Sequence, residues 1–167
     1  MELLSLLEKK KSAILKEWLA AIFATYPDDT AKFLKDGADL FSNPVGHSIT
    51  TNAEYILEGL IRGEDTDAIL AYIEPIIRIR AVQDFTPAQA ASFINSLKPV
   101  LLHQIESEIS GRSLWDEWEE LHSTIDNLSL AAFELFGKMK ERIEHIRMKE
   151  IENNERFLIK LMGNRPR

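Results

Sequence analysis

The sequence contains no cysteine. This absence excludes disulfide bonds, thiolate metal sites and thiol nucleophiles together, and it also excludes redox sensing through thiols. A chain of this composition suits a reducing compartment, so we expect a cytoplasmic protein.

Long apolar runs are also missing. The longest uncharged, mainly apolar stretch, Trp18 to Pro27, is about half of the roughly 20 residues that a membrane-spanning helix needs. The chain starts with Met1-Glu2 and soon reaches Glu8, which is not the basic start followed by an apolar core that a signal peptide shows. We therefore expect no membrane span and no export signal.

Positive charge is scarce, with 20 Lys and Arg against 27 Asp and Glu and a net charge of −7. A body of this charge repels phosphate backbones, and no basic stripe interleaved with aromatic residues occurs. We therefore expect no nucleic-acid partner. Lys and Arg outnumber Glu from Lys138 onward, so a mildly basic tail could contact an acidic partner.

Common catalytic and cofactor motifs are absent, including the Walker loop, the Gly-rich dinucleotide fingerprint, His-Glu-x-x-His and Gly-x-Ser-x-Gly. Glu119 and His122 form one Glu-x-x-His pair, which carboxylate-bridged di-iron bundles use twice. None of His47, His103 and His145 has a Glu three residues before it, so the second half is missing. The sequence therefore predicts no metal, no cofactor and no enzyme. A histidine could ligate haem, but scattered surface histidines are the favoured interpretation.

Apolar residues recur at three-and-four spacing along most of the chain, and 45% of its 167 residues are apolar. This pattern predicts one all-α domain built as a helical bundle. Gly63 should end one helix, and Asp65 or Thr66 should start the next. We expect Pro75 to kink or restart that helix and Pro99 to bend a later one.

The centre of the chain carries a complete helix start. Thr86 and Gln89 have the spacing of a capping box, and Pro87 stands at the first helical position, where no amide partner is needed. A continuous apolar face follows at Ala90, Phe93, Ile94, Leu97, Leu101 and Ile105. The sequence therefore predicts a helix beginning at residue 87.

The last helix is predicted to run from about Ser113 to Glu150 and, in the absence of a turn, towards Met162. Its apolar positions alternate in steps of four and three, as in a coiled coil, at Leu121, Ile125, Leu128, Ala132, Leu135 and Met139. We expect this helix to project from the bundle as a coiled-coil-like dimerisation and signalling element in a parallel homodimer. The residues predicted to meet the second copy are Ala132, Leu135, Met139, Ile143 and Ile146.

Two stretches resemble a known family. They are Phe41-Ser-Asn-Pro-Val-Gly46 and, more specifically, Arg78-Ile-Arg-Ala-Val-Gln-Asp-Phe-Thr-Pro-Ala-Gln-Ala90. The chain resembles the N-terminal domain of the RsbT co-antagonist protein RsbRD, a stressosome-type sensory module, from about Leu15 to about Glu150. The resemblance implies an all-helical, non-catalytic input domain that usually precedes an output domain.

On this basis residues 1–150 are expected to form the sensory domain, including the long helix from about residue 113, and residues 151–167 a helical extension with a flexible basic tail. No output domain of the STAS, kinase or cyclase type is recognisable in the chain. We therefore expect a stand-alone form whose output function is supplied by a protein partner. The alternative is a ligand-binding or stress-related scaffold without a sensing role.

The predicted site is a polar cluster at the central joint. Four strong hydrogen-bonding groups lie between two apolar faces, and two more come from the other recognisable stretch. One hypothesis is that the six residues line a site for a small anion or transmit a hinge motion; they are Arg78, Arg80, Gln83, Asp84, Asn43 and His47. The alternative is structural, with Asp84 pairing with Arg78 or Arg80 to tie the joint together.

Overall fold

The structure, a computed structural model, describes residues 2–36, 41–109 and 112–163, apart from the side chains of residues 36, 112 and 113. The described residues form helices and no strand, which confirms the all-α prediction. The seven helices within these ranges are α1 (Glu2–Phe23), α2 (Asp28–Asp36), α3 (Pro44–Arg62), α4 (Thr66–Val82), α5 (Pro87–Asn95), α6 (Leu97–Ile105) and α7 (Arg112–Gly163).

The helices enclose one hydrophobic core. α3 and α4 pack against each other, α1 packs on α3 and α6, and both α4 and α5 pack on α7. Fully buried core residues come from every part of the bundle, among them Trp18, Ile56, Ile73, Phe93 and Ile125. Trp18 stacks on Phe93 with ring centroids 6.3 Å apart, and its Nε1 donates to the carbonyl of Phe93 at 2.8 Å. The central ring pair therefore ties α1 to α5.

The helix ends follow the local signals in the sequence. Gly63 ends α3 with φ 67°, a left-handed conformation that glycine adopts without steric cost. Asp65 caps α4 through its side chain, which accepts from the amide of Ala68. Thr86 and Gln89 form the predicted capping box at the start of α5. These three predictions are confirmed.

The two internal prolines behave differently. α4 continues through Pro75 as one helix, so of the two predicted outcomes, a kink or a restart, the restart does not occur. Buried neighbours on both sides, Ile73 and Ile76, hold this segment against the core. The later helix is interrupted at Ser96, between α5 and α6. Pro99 cannot donate to the carbonyl of Asn95, which explains a break at this point.

α7 is the dominant element, with 52 residues and a length of roughly 78 Å. Its first half is part of the core through Leu121, Ile125, Leu128 and Phe136. From Glu144 to Gly163 every residue is exposed. The predicted long helix is confirmed, and it extends beyond the bundle.

The residues predicted for a dimer interface do not all face outwards. Ala132 is 0% exposed inside its own bundle, which corrects its assignment to a second copy, because α4 and α5 already cover this part of α7. Leu135, Met139 and Ile143 are partly buried against the same core, and Ile146 is 52% exposed. Ile146 is therefore the first of the five that the bundle leaves uncovered.

Among the helices of the described segments, none combines the length and the hydropathy that crossing a bilayer requires.

Candidate functional site around a buried arginine

Arg80 is buried in the core at 0% exposure. It follows Ile73 by seven residues, so it lies on the buried stripe of α4 with Ile73, Ile76 and Ile77. Its Nη1 donates to the carbonyl of Gln89 at 2.9 Å, and its Nη2 donates to Thr25 Oγ1 at 3.1 Å. The guanidinium thus connects the end of α4 to α5 and to the segment after α1.

Three aromatic rings surround the same guanidinium. The carbon Cζ of Arg80 lies 4.7 Å from the ring centroid of Phe85, 5.1 Å from that of Phe93 and 5.6 Å from that of Tyr26. Tyr26 and Phe85 meet edge to face, with centroids 5.3 Å apart. Aromatic faces attract a cation through their quadrupole, and the attraction grows when water is excluded. The rings therefore offset part of the cost of burying this charge.

The charge of Arg80 is not balanced by a carboxylate anywhere in the part of the chain that the structure describes. Its Nε also has no hydrogen-bond acceptor among those residues. Burial lowers the pKa of Arg80, and the neighbouring Tyr26 partly opposes this shift. A buried cation that contacts only neutral groups is unusual, because buried charges are normally paired with a group of opposite charge.

A cavity of about 680 Å³ lies against this arrangement, and we call it the Arg80 cavity. Its wall includes Thr25, Tyr26, Phe85 and Gln89. The same four residues contact the guanidinium of Arg80, so they separate it from the cavity. Its volume lies within the range of small-molecule sites, about 300–1,000 Å³. The positive charge therefore stands directly behind the wall of a ligand-sized cavity.

The polar groups of the wall are mainly uncharged. The Tyr26 hydroxyl donates to Gln83 Oε1 at 2.9 Å, and burial raises the pKa of this hydroxyl. Gln83, Gln89 and Ser92 also line the cavity and carry amide or hydroxyl groups that can donate to a ligand. The one carboxylate among the described lining residues is that of Asp84, which is exposed to solvent.

The structure separates the predicted cluster at the joint. Gln83 and Asp84 line the Arg80 cavity and Arg80 lies behind it, whereas the side chain of Arg78 is 67% exposed and pairs with Glu74 at 2.5 Å. Asp84 forms no ion pair among the described residues; it takes φ 57° just after α4 and is exposed to solvent. The alternative in which Asp84 pairs with Arg78 or Arg80 is therefore not seen in the structure, because a helix-terminating backbone keeps Asp84 at the surface.

Asn43 has a structural role. It is 1% exposed, its Oδ1 accepts from the amide of Gly46 at 2.9 Å, and its Nδ2 donates to the carbonyls of Phe33 and Leu34 at 2.9 and 3.0 Å. These bonds cap α3 and join it to α2. The hydrogen-bonding groups of this side chain are occupied by backbone, so Asn43 does not belong to the Arg80 cavity.

His47 lies in a different cavity. Its neighbours there include Lys16 from α1 and Lys35 from α2, and its Nε2 is 3.5 Å from Thr51 Oγ1. No described residue lines both this cavity and the Arg80 cavity. The structure therefore does not bring His47 to Arg80.

Sequence reasoning missed the partners of Arg80, which are Thr25, Tyr26, Phe85 and Phe93. One signal was available: an arginine seven residues after Ile73 falls on the apolar stripe of a helix and must bury its charge there. The partners themselves carry no such signal, since Thr25 is 55 positions away from Arg80.

In residues 2–36, 41–109 and 112–163, no three or more His, Asp or Glu side chains are placed together to hold a metal ion. His122 belongs to the Glu-x-x-His pair, and its Nδ1 lies 3.5 Å from Asp126 Oδ2. The His122 ring packs against that of Trp118, with centroids 5.8 Å apart.

The bundle thus has a ligand-sized cavity beside a buried charge and sends one helix out of its core. The family model described as the RsbT co-antagonist protein rsbRD N-terminal domain matches residues 12–150, and the chain belongs to this family. The family suggests a regulatory, stressosome-type input domain. Comparison with curated proteins found no match, and neither did comparison with solved structures.

Proposed function

We propose that this protein is a non-catalytic sensory input domain that converts occupancy of the Arg80 cavity into a change of α7, which a protein partner reads. One observation carries the proposal: α7 packs on both α4 and α5, the two helices that meet at the Arg80 joint, and then continues out of the bundle. A ligand that shifts α4 against α5 therefore acts on the base of the projecting helix.

The ligand expected in the Arg80 cavity is a small anion. A negative charge about 6 Å from the guanidinium gains roughly 3 kcal/mol at an effective dielectric constant of about 20. No carboxylate of the described residues neutralises Arg80, so this attraction is available to a ligand. The exposed carboxylate of Asp84 opposes it weakly, because water screens a charge at the rim.

α7 supports the proposal of a parallel homodimer. Beyond the bundle the helix exposes large apolar residues on one face, namely Ile146 at 52%, Phe157 at 61% and Leu161 at 56%. A single helix in water gains little stability from its backbone alone, and exposed apolar surface of this extent is typical of an interaction site. Leu135, Met139 and Ile143 keep a partly exposed edge that continues the same contact towards the bundle.

We predict that Ile146→Lys weakens dimerisation by about a hundredfold, because it places two charges in the apolar seam of a symmetric pair. The matched control is Met148→Lys, since Met148 is 59% exposed on the same helix but lies about 200° around it. Light scattering over a concentration series measures both. Equal dissociation constants for the two variants, or a natural chain that is monomeric at tens of micromolar, would contradict the dimer.

The test of the sensory function is native mass spectrometry of protein purified from its own source, because a tight ligand stays with the protein. We expect an added mass that disappears in Arg80→Met. Spin labels at position 158 of both copies would then report whether removing the ligand changes their separation. Two results would instead support the alternative of a scaffold without a sensing role. One is a mass equal to that of the protein alone, and the other is a distance between the spin labels that is the same with and without the ligand.

We also propose that a protein partner supplies the output function and that the protein is cytoplasmic. The chain from Lys138 onward carries more Lys and Arg than Glu, so it is a suitable contact for an acidic partner. The cysteine-free composition suits a reducing compartment.

A further inference from the structure

A second cavity, which we call the Lys16 cavity, lies between α1, α2 and α3 and has a volume of about 610 Å³. Three basic side chains line it, one from each helix: Lys16, Lys35 and His47. It shares no described lining residue with the Arg80 cavity, so it is a separate site that the function proposed above does not use.

The charge of this cavity contrasts with the rest of the protein. The chain has a net charge of −7, yet no acidic side chain is found among the described residues that line the Lys16 cavity. Lys16 and Lys35 form no ion pair within the described ranges, whereas Lys10 and Lys11 contact Glu108 and Glu58 at 2.6 and 2.7 Å. Among the described residues, the two lining lysines are therefore positive groups without a counter-ion.

The floor of the Lys16 cavity is apolar. Leu19, Ala20 and Phe23 line it from α1, and Phe23 is 3% exposed, so its ring belongs to both the floor and the core. Thr50 and Thr51 add hydroxyl donors from α3 beside His47. The cavity therefore combines an apolar surface with convergent donors, the arrangement that binds molecules with one charged end.

We propose that the Lys16 cavity binds a small organic anion with an apolar body, namely a carboxylate or phosphate group attached to a hydrocarbon chain. The lysines and threonines contact the anionic head, and Leu19 and Phe23 contact the chain. The ammonium groups of Lys16 and Lys35 repel a metal cation, and the acidic body repels a polynucleotide, so both classes are disfavoured. The volume admits a molecule of about the size that small-molecule sites accept.

The test is isothermal titration calorimetry of the full-length protein with sodium octanoate and octyl phosphate. Acetate, which lacks the chain, and 1-octanol, which lacks the charge, are the comparison ligands. We expect both octyl anions to bind at least about tenfold more tightly than acetate or octanol. Amide chemical shifts of Ala20, Thr50 and Thr51 should change with the octyl anions, which places the ligand in this cavity.

Paired variants test the charges. Lys16→Gln with Lys35→Gln should weaken octanoate binding at least about tenfold. The control is Lys32→Gln, which removes one positive charge from an exposed position of α2 outside the cavity and should leave the affinity within about twofold. Both lysines are exposed, so the double variant is expected to keep its helical circular dichroism and melting temperature.

Several results would overturn the proposal. They are the absence of octyl-anion binding at millimolar concentration, octanol binding as tight as octanoate binding, and equal losses in the Lys32 control. Binding to anionic lipid vesicles without binding to free octanoate would also overturn it and would indicate a membrane surface as the occupant. If the double variant unfolds, the comparison of octanoate with acetate and octanol on the natural chain still decides the matter.

Discussion

Arg80→Met is expected to leave the free energy of unfolding within about 1 kcal/mol of the natural value or to raise it, whereas Arg80→Ala should lower it by about 3–4 kcal/mol. Methionine is long and unbranched and can fill the space between the rings of Tyr26, Phe85 and Phe93 without a buried charge. Alanine removes the same hydrogen bonds and also leaves a void in the core. The difference between the two variants separates the volume of Arg80 from its charge.

Urea unfolding followed by circular dichroism measures both variants. Losing the hydrogen bonds from Arg80 costs little free energy, because the acceptors belong to Thr25 and Gln89. Both residues are exposed, so water can replace Arg80 as the donor. If Arg80→Met were as unstable as Arg80→Ala, the charge would be a requirement of folding. The Arg80 cavity would then lose the electrostatic argument for an anionic ligand.

Gly46→Ala is expected to lower the free energy of unfolding by about 2–4 kcal/mol. A Cβ at Gly46 would lie 2.5 Å from the backbone carbonyl oxygen of Leu34 and would overlap the Asn43 side chain. The backbone oxygen cannot move without shifting α2, and Asn43 cannot move without losing the cap of α3. Thermal or urea unfolding measures the loss.

Gly137→Ala is the matched control, because the same substitution falls on a helix where a Cβ meets nothing within 4 Å. Here alanine should raise stability by about 0.5–1 kcal/mol, since glycine loses more backbone freedom in a helix. Opposite signs at the two glycines are the expected result. Two equal changes would show that the close approach of Gly46 to Leu34 does not constrain the fold.

The parts of the fold that the sequence predicts are those with local causes. The capping box of Thr86 and Gln89 involves groups three residues apart, and the left-handed end at Gly63 depends on one residue. The break at Ser96 has its cause in Pro99, within the same turn. Periodicity alone is sufficient for the all-α class, because each helix shows its buried face in its own spacing.

The site depends on contacts that local patterns do not contain. Arg80 and Asp84 look like one polar cluster in the sequence, but the turn of α4 buries the first and exposes the second. His47 and Asn43 are four residues apart, yet one lines a cavity and the other caps a helix. The sequence therefore identifies the central joint, and the structure decides which of its side chains belong to a cavity.

Ala132 shows a second limit of sequence patterns. An apolar stripe with steps of four and three is equally suited to packing on a neighbouring helix of the same bundle and to packing on a second copy. α4 and α5 cover α7 at Ala132, and the cover ends near Ile143. The position at which the apolar residues of α7 become exposed depends on the packing of α4 and α5. The spacing of those apolar residues contains no information about this packing.

The exposed part of α7 from Glu144 to Gly163 is a stiff lever about 30 Å long, with its base clamped in the bundle. A change of about 10° in the tilt of this lever at the clamp would move its tip by about 5 Å. In the proposed sensory function, a small tilt at the clamp therefore becomes a displacement of about one helical turn at the tip. Gly137 lies seven residues before Glu144 in the same helix, and under the same proposal a more flexible backbone at this point would transmit less of the tilt to the tip.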